Sequence, residues 1–512
     1  MFKERPAKVS LLLRDKLAKQ SISREEIRAV YQAGEAAVIE LVESLSEQHK
    51  ELVEQLLEQQ SGLEARIKAL EDQRQKDSRN SSKPPSGDGF KKRTKSLRKK
   101  SERPSGGQKG HPGSTLEWRE EVDGVVTHAV EACDRCGKSL GRAAVIEHEC
   151  RQVHELPPLR LQVIEHRAQI KSCPHCEAVS RGVFPSEVNS QVQYGSSVRG
   201  LMVYLMDAQL LPSDRVCEVL KEVFECEVSE GTLYNARAKC FEGLASVEQR
   251  IKASLEQAEV AHFDETGFRV KRQLWWLHVA STAQLTYYFV HDRRGRIAID
   301  EMDILPNFSG ISVHDGWASY FLYECVHALC NAHHLRELRF IVERYEQPWA
   351  QQMITLLCEI KAQVDSAKAN GQQALSAAQL IDFEQQYQSI LMQGFEANPP
   401  PPVELDKPKP PGRTKQSPPQ NLLARLDRHD TPVLSFMFDF RVPFDNNQAE
   451  RDIRMMKLKQ KISGCFRSEV GAQQFCRIRG YISTLRKQGM SVLDALISTF
   501  TNIPISPVFQ PE

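Results

Sequence analysis

The stretch from Glu259 to His333 constrains the fold more than any other part of this chain. Glu259-Val-Ala-His-Phe-Asp264-Glu-Thr-Gly267 reads as an apolar strand that ends in a carboxylate and a turn. Leu274–Ala280 and Leu285–Val290 are rich in aromatic and β-branched residues and lie close enough together for hairpins. Gly310-Ile-Ser-Val-His-Asp315-Gly-Trp317 is another strand ending in Asp-Gly, and His327–His333 is a further candidate, with helix from about 334. Three antiparallel strands followed by parallel ones make a mixed sheet, with Asp264 and Asp315 at neighbouring strand tips.

A second stretch, 443–467, complements the first. Asp445, Asn446 and Asn447 offer N-cap chemistry, so helix is expected from Gln448. Glu450 opens a run dense in cations that includes Arg451, Arg454, Lys457, Lys459, Lys461 and Arg467. Arg454 and Lys457 follow Glu450 by four and seven residues and share its face. A solvated charged helix would look the same. A carboxylate in a cationic field also suits metal binding beside a phosphate, provided other carboxylates join it. Asp264, Asp315 and Glu450 together could hold two Mg²⁺ ions roughly 4 Å apart. All-oxygen donors suit Mg²⁺ better than Cys or His. Glu265 and Asp445 are reserve ligands.

The rest of the chain divides by pattern. Residues 1–78 are helical. From about 36, Ile39, Ser46, Val53, Gln60 and Ile67 alternate with Val42, His49, Leu56, Leu63 and Leu70 in heptads, which suggests a coiled coil and a homo-oligomer. An amphipathic helix packed on its own chain fits the same pattern. Residues 79–115 are a flexible linker. Eleven Lys/Arg against two acids between Arg79 and Gly110, Lys92, Arg93, Lys99 and Lys100 among them, suit phosphate neutralisation on DNA. Over the whole chain the formal net charge is only +1, so the basic signal is local.

Residues 116–190 contain Cys133-Asp-Arg-Cys136 and Cys173-Pro-His-Cys176, two pairs suited to a structural four-thiolate Zn²⁺ site. Strand-like alternation over Arg160–His166 would return the second pair to the first. Residues 191–256 are helical and contain a candidate helix-turn-helix. The remainder, 257–512, carries the sheet and a helical, Pro-rich insertion at about 334–440, whose prolines between 399 and 419 suggest an extended loop. Thirteen cysteines without an apolar run of membrane-spanning length or a signal-like N-terminus suit a reducing, cytoplasmic setting.

Taken together, His-Phe-Asp264-Glu-Thr-Gly, Val-His-Asp315-Gly-Trp-Ala-Ser-Tyr and Asp-Asn-Asn-Gln-Ala-Glu450-Arg-Asp-Ile-Arg resemble the three catalytic blocks of bacterial DDE transposases of the insertion-sequence sixty-six type. Lys457 stands where many such enzymes carry a lysine. The zipper ending in Asn-Ser-Ser-Lys-Pro-Pro-Ser, the Gly-Gly-Gln-Lys-Gly-His-Pro-Gly arm and the paired cysteines match in order. Cys330-Asn-Ala-His333 resembles a C-x2-H element of several DDE enzymes; a buried cysteine and a capping histidine would also explain it.

The resemblance implies a multidomain α+β protein: a coiled coil, a small zinc-binding domain, a helical DNA-binding region and an RNase H-like α/β catalytic domain with a helical insertion. It implies Mg²⁺-dependent cleavage at element ends and 3′-hydroxyl strand transfer into target DNA. Asp264, Asp315 and Glu450 would hold metal, and Arg451, Arg454 and Lys457 would grip phosphates. Two accessory proteins of the same element are expected partners. A non-catalytic DNA-binding protein and a nuclease of the same fold are the competing readings.

Overall fold

The computed structural model describes residues 23–77, 79–81, 116–399, 416–501 and 503–509. The basic positions Lys92, Arg93, Lys99 and Lys100 lie outside the described residues, as does most of the Pro-rich stretch. The chain divides into two units: Met1–Thr94 with Glu343–Glu346, and Lys95–Val342 with Gln347–Glu512.

In the first unit, helix α1 (Arg24–Gln32) starts in a capping box, with Ser23 and Glu26 satisfying each other's backbone amides. Gly34 then separates it from α2 (Glu35–Gln75), a single helix of 41 residues. Seam residues of α2 are open to solvent, Leu56 at 55% and Leu63 at 61% exposure. At its C-terminal end Asp72 receives Arg344 Nε at 3.0 Å and the Tyr345 hydroxyl at 2.6 Å.

The second unit begins with residues around the paired cysteines. Between residues 116 and 190 the strands are β1 (Ile170–Ser172) and β2 (Val179–Arg181), a short antiparallel hairpin. The strand expected over Arg160–His166 is not formed. Leu161, Val163 and Ile164 are all exposed there, so neither face of that segment has a sheet or core to pair with.

Helices α3 (Ser196–Val203), α4 (Ser213–Phe224), α5 (Glu230–Gly243) and α6 (Ala245–Glu256) follow, with a π-helical turn at Tyr204–Ala208 after α3. The five-stranded sheet is built from β3 (Val260–Val270), β4 (Gln273–Ser281), β5 (Thr286–His291), β6 (Ile311–His314) and β7 (Val326–Leu329), with α7 (Arg296–Met302) between β5 and β6. Its order is β5-β4-β3-β6-β7; β5, β4 and β3 pair antiparallel, and β3, β6 and β7 pair parallel. Helices α8 (Asn331–Tyr345), α9 (Pro348–Ala369), α10 (Ala377–Ala397), α11 (Pro418–Arg428) and α12 (Asp430–Phe438) form the insertion. Pro418 and Pro419 belong to the first turn of α11, not to the preceding loop: Ser417 caps that turn, where a proline's missing amide leaves no bond unmade.

The chain closes with α13 (Asn447–Ser463), α14 (Glu469–Lys487) and α15 (Val492–Ser498). The period of two along β3 divides its side chains between two cores. Ala261 and Phe263 join α3–α6 and the end of α14, while Phe268 and Val270 join Ile453 and Met456 of α13.

Asp264 does not end its strand. β3 continues to Val270 because β4 stays paired with it throughout, and the chain reverses only at Lys271-Arg272, both left-handed at φ 49° and 68°. What ends near Asp264 is the other neighbour, since the β3–β6 pairing stops at His262↔Val313. Gly310 brings β6 against β3: a Cβ there would lie 2.4 Å from Ala258 O and 2.7 Å from Glu259 O. Both obstacles are backbone atoms. Gly310→Ala should therefore cost about 1–3 kcal/mol in urea denaturation, whereas Gly295→Ala, with nothing within 4 Å of the added carbon, should stay close to wild type.

Candidate active site

The sheet register brings the first two carboxylates together. Extending the β3–β6 pairing by two residues on each strand places Asp264 opposite Asp315, where β6 has ended and β3 has not. Asp315 Oδ1 accepts the Trp317 amide at 2.9 Å, a turn that Gly316 completes at φ 86°.

Glu265 serves a different purpose. Alternation turns it to the opposite face of β3 from Asp264. There its side chain is 1% exposed, ion-paired to Arg294 and hydrogen-bonded by the Tyr320 hydroxyl. The Arg294 guanidinium in turn lies 4.9 Å from the Trp276 ring and 4.3 Å from the Trp317 ring. Glu265 thus ties the loop after Asp315 to β3.

Glu450 is delivered by α13, and Asn446 fixes where that helix begins. The Asn446 side chain makes no cap bond; Asp445 accepts the Asn447 amide at 3.0 Å instead. Buried at 1% exposure, Asn446 donates through Nδ2 to Phe263 O at 2.8 Å, and its Oδ1 lies 2.7 Å from His262 Nδ1. Its amide donates to Cys330 Sγ at 3.1 Å, and its carbonyl accepts the Glu450 amide at 3.2 Å. One residue therefore ties β3, the end of β7 and the first turn of α13.

Around Glu450, Oε1 lies 3.8 Å from His333 Nδ1 and 3.5 Å from Arg336 Nη2. Arg451 and Arg454 are exposed on α13. Lys457 is not free to reach outward: its ammonium donates to Gly267 O, which pins α13 along β3.

The electrostatics follow from this crowding. Burial pushes the Asp264 carboxyl well above the usual range, and the charges of Glu265, Asp315 and Glu450 push it further. Glu265 is also raised, first by burial and then by Asp315, while Tyr320 and Arg294 pull it back. Burial, with Arg336 and Arg425, lowers His333 to about 3, and burial raises Cys330 to about 12. Asp264 thus stands in a field of like charge, which a bound divalent cation would relieve; carboxylate oxygens are the donors such an ion takes, although those of Asp264, Asp315 and Glu450 are not gathered within 4.8 Å of one another.

Each cysteine pair occupies its own tight turn. Cys133 exchanges backbone bonds with Gly137 and Lys138, and Cys173 does the same with Glu177 and Ala178. Backbone amides of Cys136 and Arg135 lower the Cys133 thiol, and those of His175 and Cys176 lower Cys173. These are features of thiolates prepared for metal. The two pairs are not gathered into one cluster within 4.8 Å; among the described residues only Cys330, His333 and Glu450 form such a group. None of the thirteen cysteines is in a disulfide.

Sequence reasoning did not single out His262, Arg294, Arg336 or the clamping role of Asn446. Doubled asparagine before a helix was the one local signal, and capping explained it equally well. No helix among the described residues is long and apolar enough to cross a membrane. The family model described as "Transposase IS66 family" matches residues 191–474, and one described as a family of unknown function (DUF6444) matches residues 19–117. No curated protein matches the chain.

Asn446→Ala would leave a buried carbonyl and a buried imidazole unpaired, and should cost about 1–3 kcal/mol in urea denaturation. A second expectation concerns pH. Asp264 has its folded pKa raised well above the usual carboxylate range. The stability it contributes is therefore fully present below the unfolded pKa and is lost as pH rises through the folded one. Asp264→Asn cannot ionise. In metal-free buffer its stability should fall less than wild type's between about pH 4 and neutrality, by on the order of 1 kcal/mol or more.

Proposed function

The chain belongs to the IS66 family of transposases, and on that premise we propose that it cuts DNA at element ends and joins the freed 3′-hydroxyl to target DNA, using Asp264, Asp315 and Glu450 as a divalent-metal site. The observation that supports this reading is electrostatic: Asp264, two residues past the end of the β3–β6 pairing and opposite Asp315 in register, has its carboxyl raised first by burial and then by the charges of Glu265, Asp315 and Glu450. We read the sheet as RNase H-like, supported by its order β5-β4-β3-β6-β7 and its change from antiparallel to parallel pairing at β3.

Bound Mg²⁺ would supply Lewis-acid stabilisation of charge at the scissile phosphodiester and ease deprotonation of the attacking water or 3′-hydroxyl. The chain's own residues provide position. Asn446 sets the first turn of α13, and Lys457 holds the helix along β3 through Gly267 O. Glu265, Arg294 and Tyr320 anchor the loop that carries Asp315. Arg451 and Arg454 remain exposed beside Glu450 and would grip backbone phosphates, giving affinity without base reading. A pure DNA binder gains nothing from carboxylates placed so that they raise one another's pKa, which favours the enzyme.

The N-terminal parts fit the same activity. The exposed apolar seam of α2 would pair subunits as a coiled coil, bringing two DNA ends together. Cys133, Cys136, Cys173 and Cys176 would bind a structural Zn²⁺, supported by two turns whose amides already favour thiolate. The candidate helix-turn-helix corresponds to α4 and α5, where Ser229 caps the second helix. Accessory proteins of the same element are the further partners proposed.

Incubated with Mg²⁺ and a labelled duplex carrying the element's terminal repeat, the protein should produce a nick with a 3′-hydroxyl that joins target DNA, with accessory proteins supplied where needed. Asp315→Asn and Glu450→Gln should lower cleavage by roughly 100-fold or more while retaining DNA binding. Cleavage without joining would favour a nuclease; binding without cleavage would favour the non-catalytic reading.

A further inference from the structure

Glu450 takes part in a second constellation, made of softer donors. Cys330 follows the last residue of β7, His333 lies in the first turn of α8, and Glu450 lies in the first turn of α13. Their ligand atoms all fall within 4.8 Å of one another. The spacing explains the first pair: the strand ends at Leu329, and the helix that starts at Asn331 turns His333 back beside Cys330, with the His333 amide donating to Cys330 O at 3.1 Å.

Two details point to a ligand. His333 Nδ1 and Glu450 Oε1 are buried, stand 3.8 Å apart, and neither has a hydrogen-bond partner among the described residues. Buried polar atoms are rarely left in this state, and each costs about 1–3 kcal/mol unless something satisfies it. The sulfur is contacted as well: the Asn446 amide donates to Cys330 Sγ at 3.1 Å, the kind of N–H···S contact that supports a metal-bound thiolate.

We propose that Cys330, His333 and Glu450 bind a zinc-class divalent ion, distinct from the oxygen-liganded Mg²⁺ of the proposed catalytic site. A sulfur, a nitrogen and an oxygen donor suit Zn²⁺ and Co²⁺ and do not suit Mg²⁺. Three protein ligands leave a fourth position for water. Loading releases the Cys330 thiol proton to solvent and displaces the Arg336 guanidinium, now 3.5 Å from Glu450 Oε1, because a guanidinium and a divalent ion compete for that oxygen. The bound ion holds one oxygen of Glu450 against α8 and so couples the start of the helical insertion to the carboxylate on α13. This assignment needs no catalysis: the ion either binds or does not, whatever the DNA assays give.

The test uses metal-free, reduced full-length protein titrated with Co²⁺, whose thiolate charge-transfer absorption reports sulfur ligation. To silence the paired cysteines, the chain carries Cys133→Ser, Cys136→Ser, Cys173→Ser and Cys176→Ser. This protein should take up one equivalent of Co²⁺ with a single-thiolate band. The band should vanish on adding Cys330→Ser, and the equivalent should be lost with His333→Gln. A folded quadruple variant, as judged by circular dichroism, that takes up no Co²⁺ overturns the proposal, as does one whose uptake ignores Cys330→Ser. Should the quadruple variant fail to fold, bound metal per chain is compared between wild type and His333→Gln. A drop of one equivalent supports the site, and equal content overturns it.

Discussion

The side-chain amide of Asn446 is the interaction on which the sheet and the helix that carries Glu450 depend. It satisfies a β3 carbonyl that the sheet leaves open and holds His262 on the same strand. Its backbone reaches the sulfur at the end of β7 and the first turn of α13. The strands β3 and β7 and the helix α13 arrive from positions far apart in the chain, Phe263, Cys330 and Asn446, and meet at one buried residue. A buried amide with every group satisfied is rigid, because any movement leaves a polar group unpaired in a dry environment. Glu450, one turn further on, inherits that rigidity.

Asp264 and Glu265 are adjacent and both buried, yet the protein treats them differently. Glu265 has a guanidinium and a phenol against it and is neutralised where it stands. Among the described residues, Asp264 has only the Glu265 amide at 2.8 Å, with further carboxylates nearby. The period of two separates a structural carboxylate from an unneutralised one within a single dipeptide. A cluster of like charges destabilises the metal-free fold, and such unrelieved strain is tolerated where a ligand supplies the missing charge.

The cations of α13 divide in the same way. Arg451 and Arg454 face solvent, whereas Lys457 is half-buried against a β3 carbonyl and Asp452 is bound to Lys487 at 2.9 Å. A helix dense in charge is therefore not uniformly a DNA-facing surface. Part of its charge holds the helix on the sheet, and the remainder is available to phosphate.

Much of this was legible in the sequence. Aromatic and β-branched runs announced β4 and β5, apolar runs ending in Asp announced β3 and β6, and polar residues before Gln448 announced α13, because these signals are local: side-chain shape, period and capping act within a few residues. Other features had no local signature. β3 passes through Asp264 because β4 pairs with it that far; Arg160–His166 alternates but forms no strand because nothing lies against it. Asn446 could have capped a helix, and the buried carbonyl of Phe263 made it a clamp instead. The sequence by itself determined which residues can form strands, helices and carboxylate tips. Tertiary structure decided which faces those residues occupy and which charges stay unneutralised, because burial and hydrogen-bond satisfaction depend on partners that are distant in the chain.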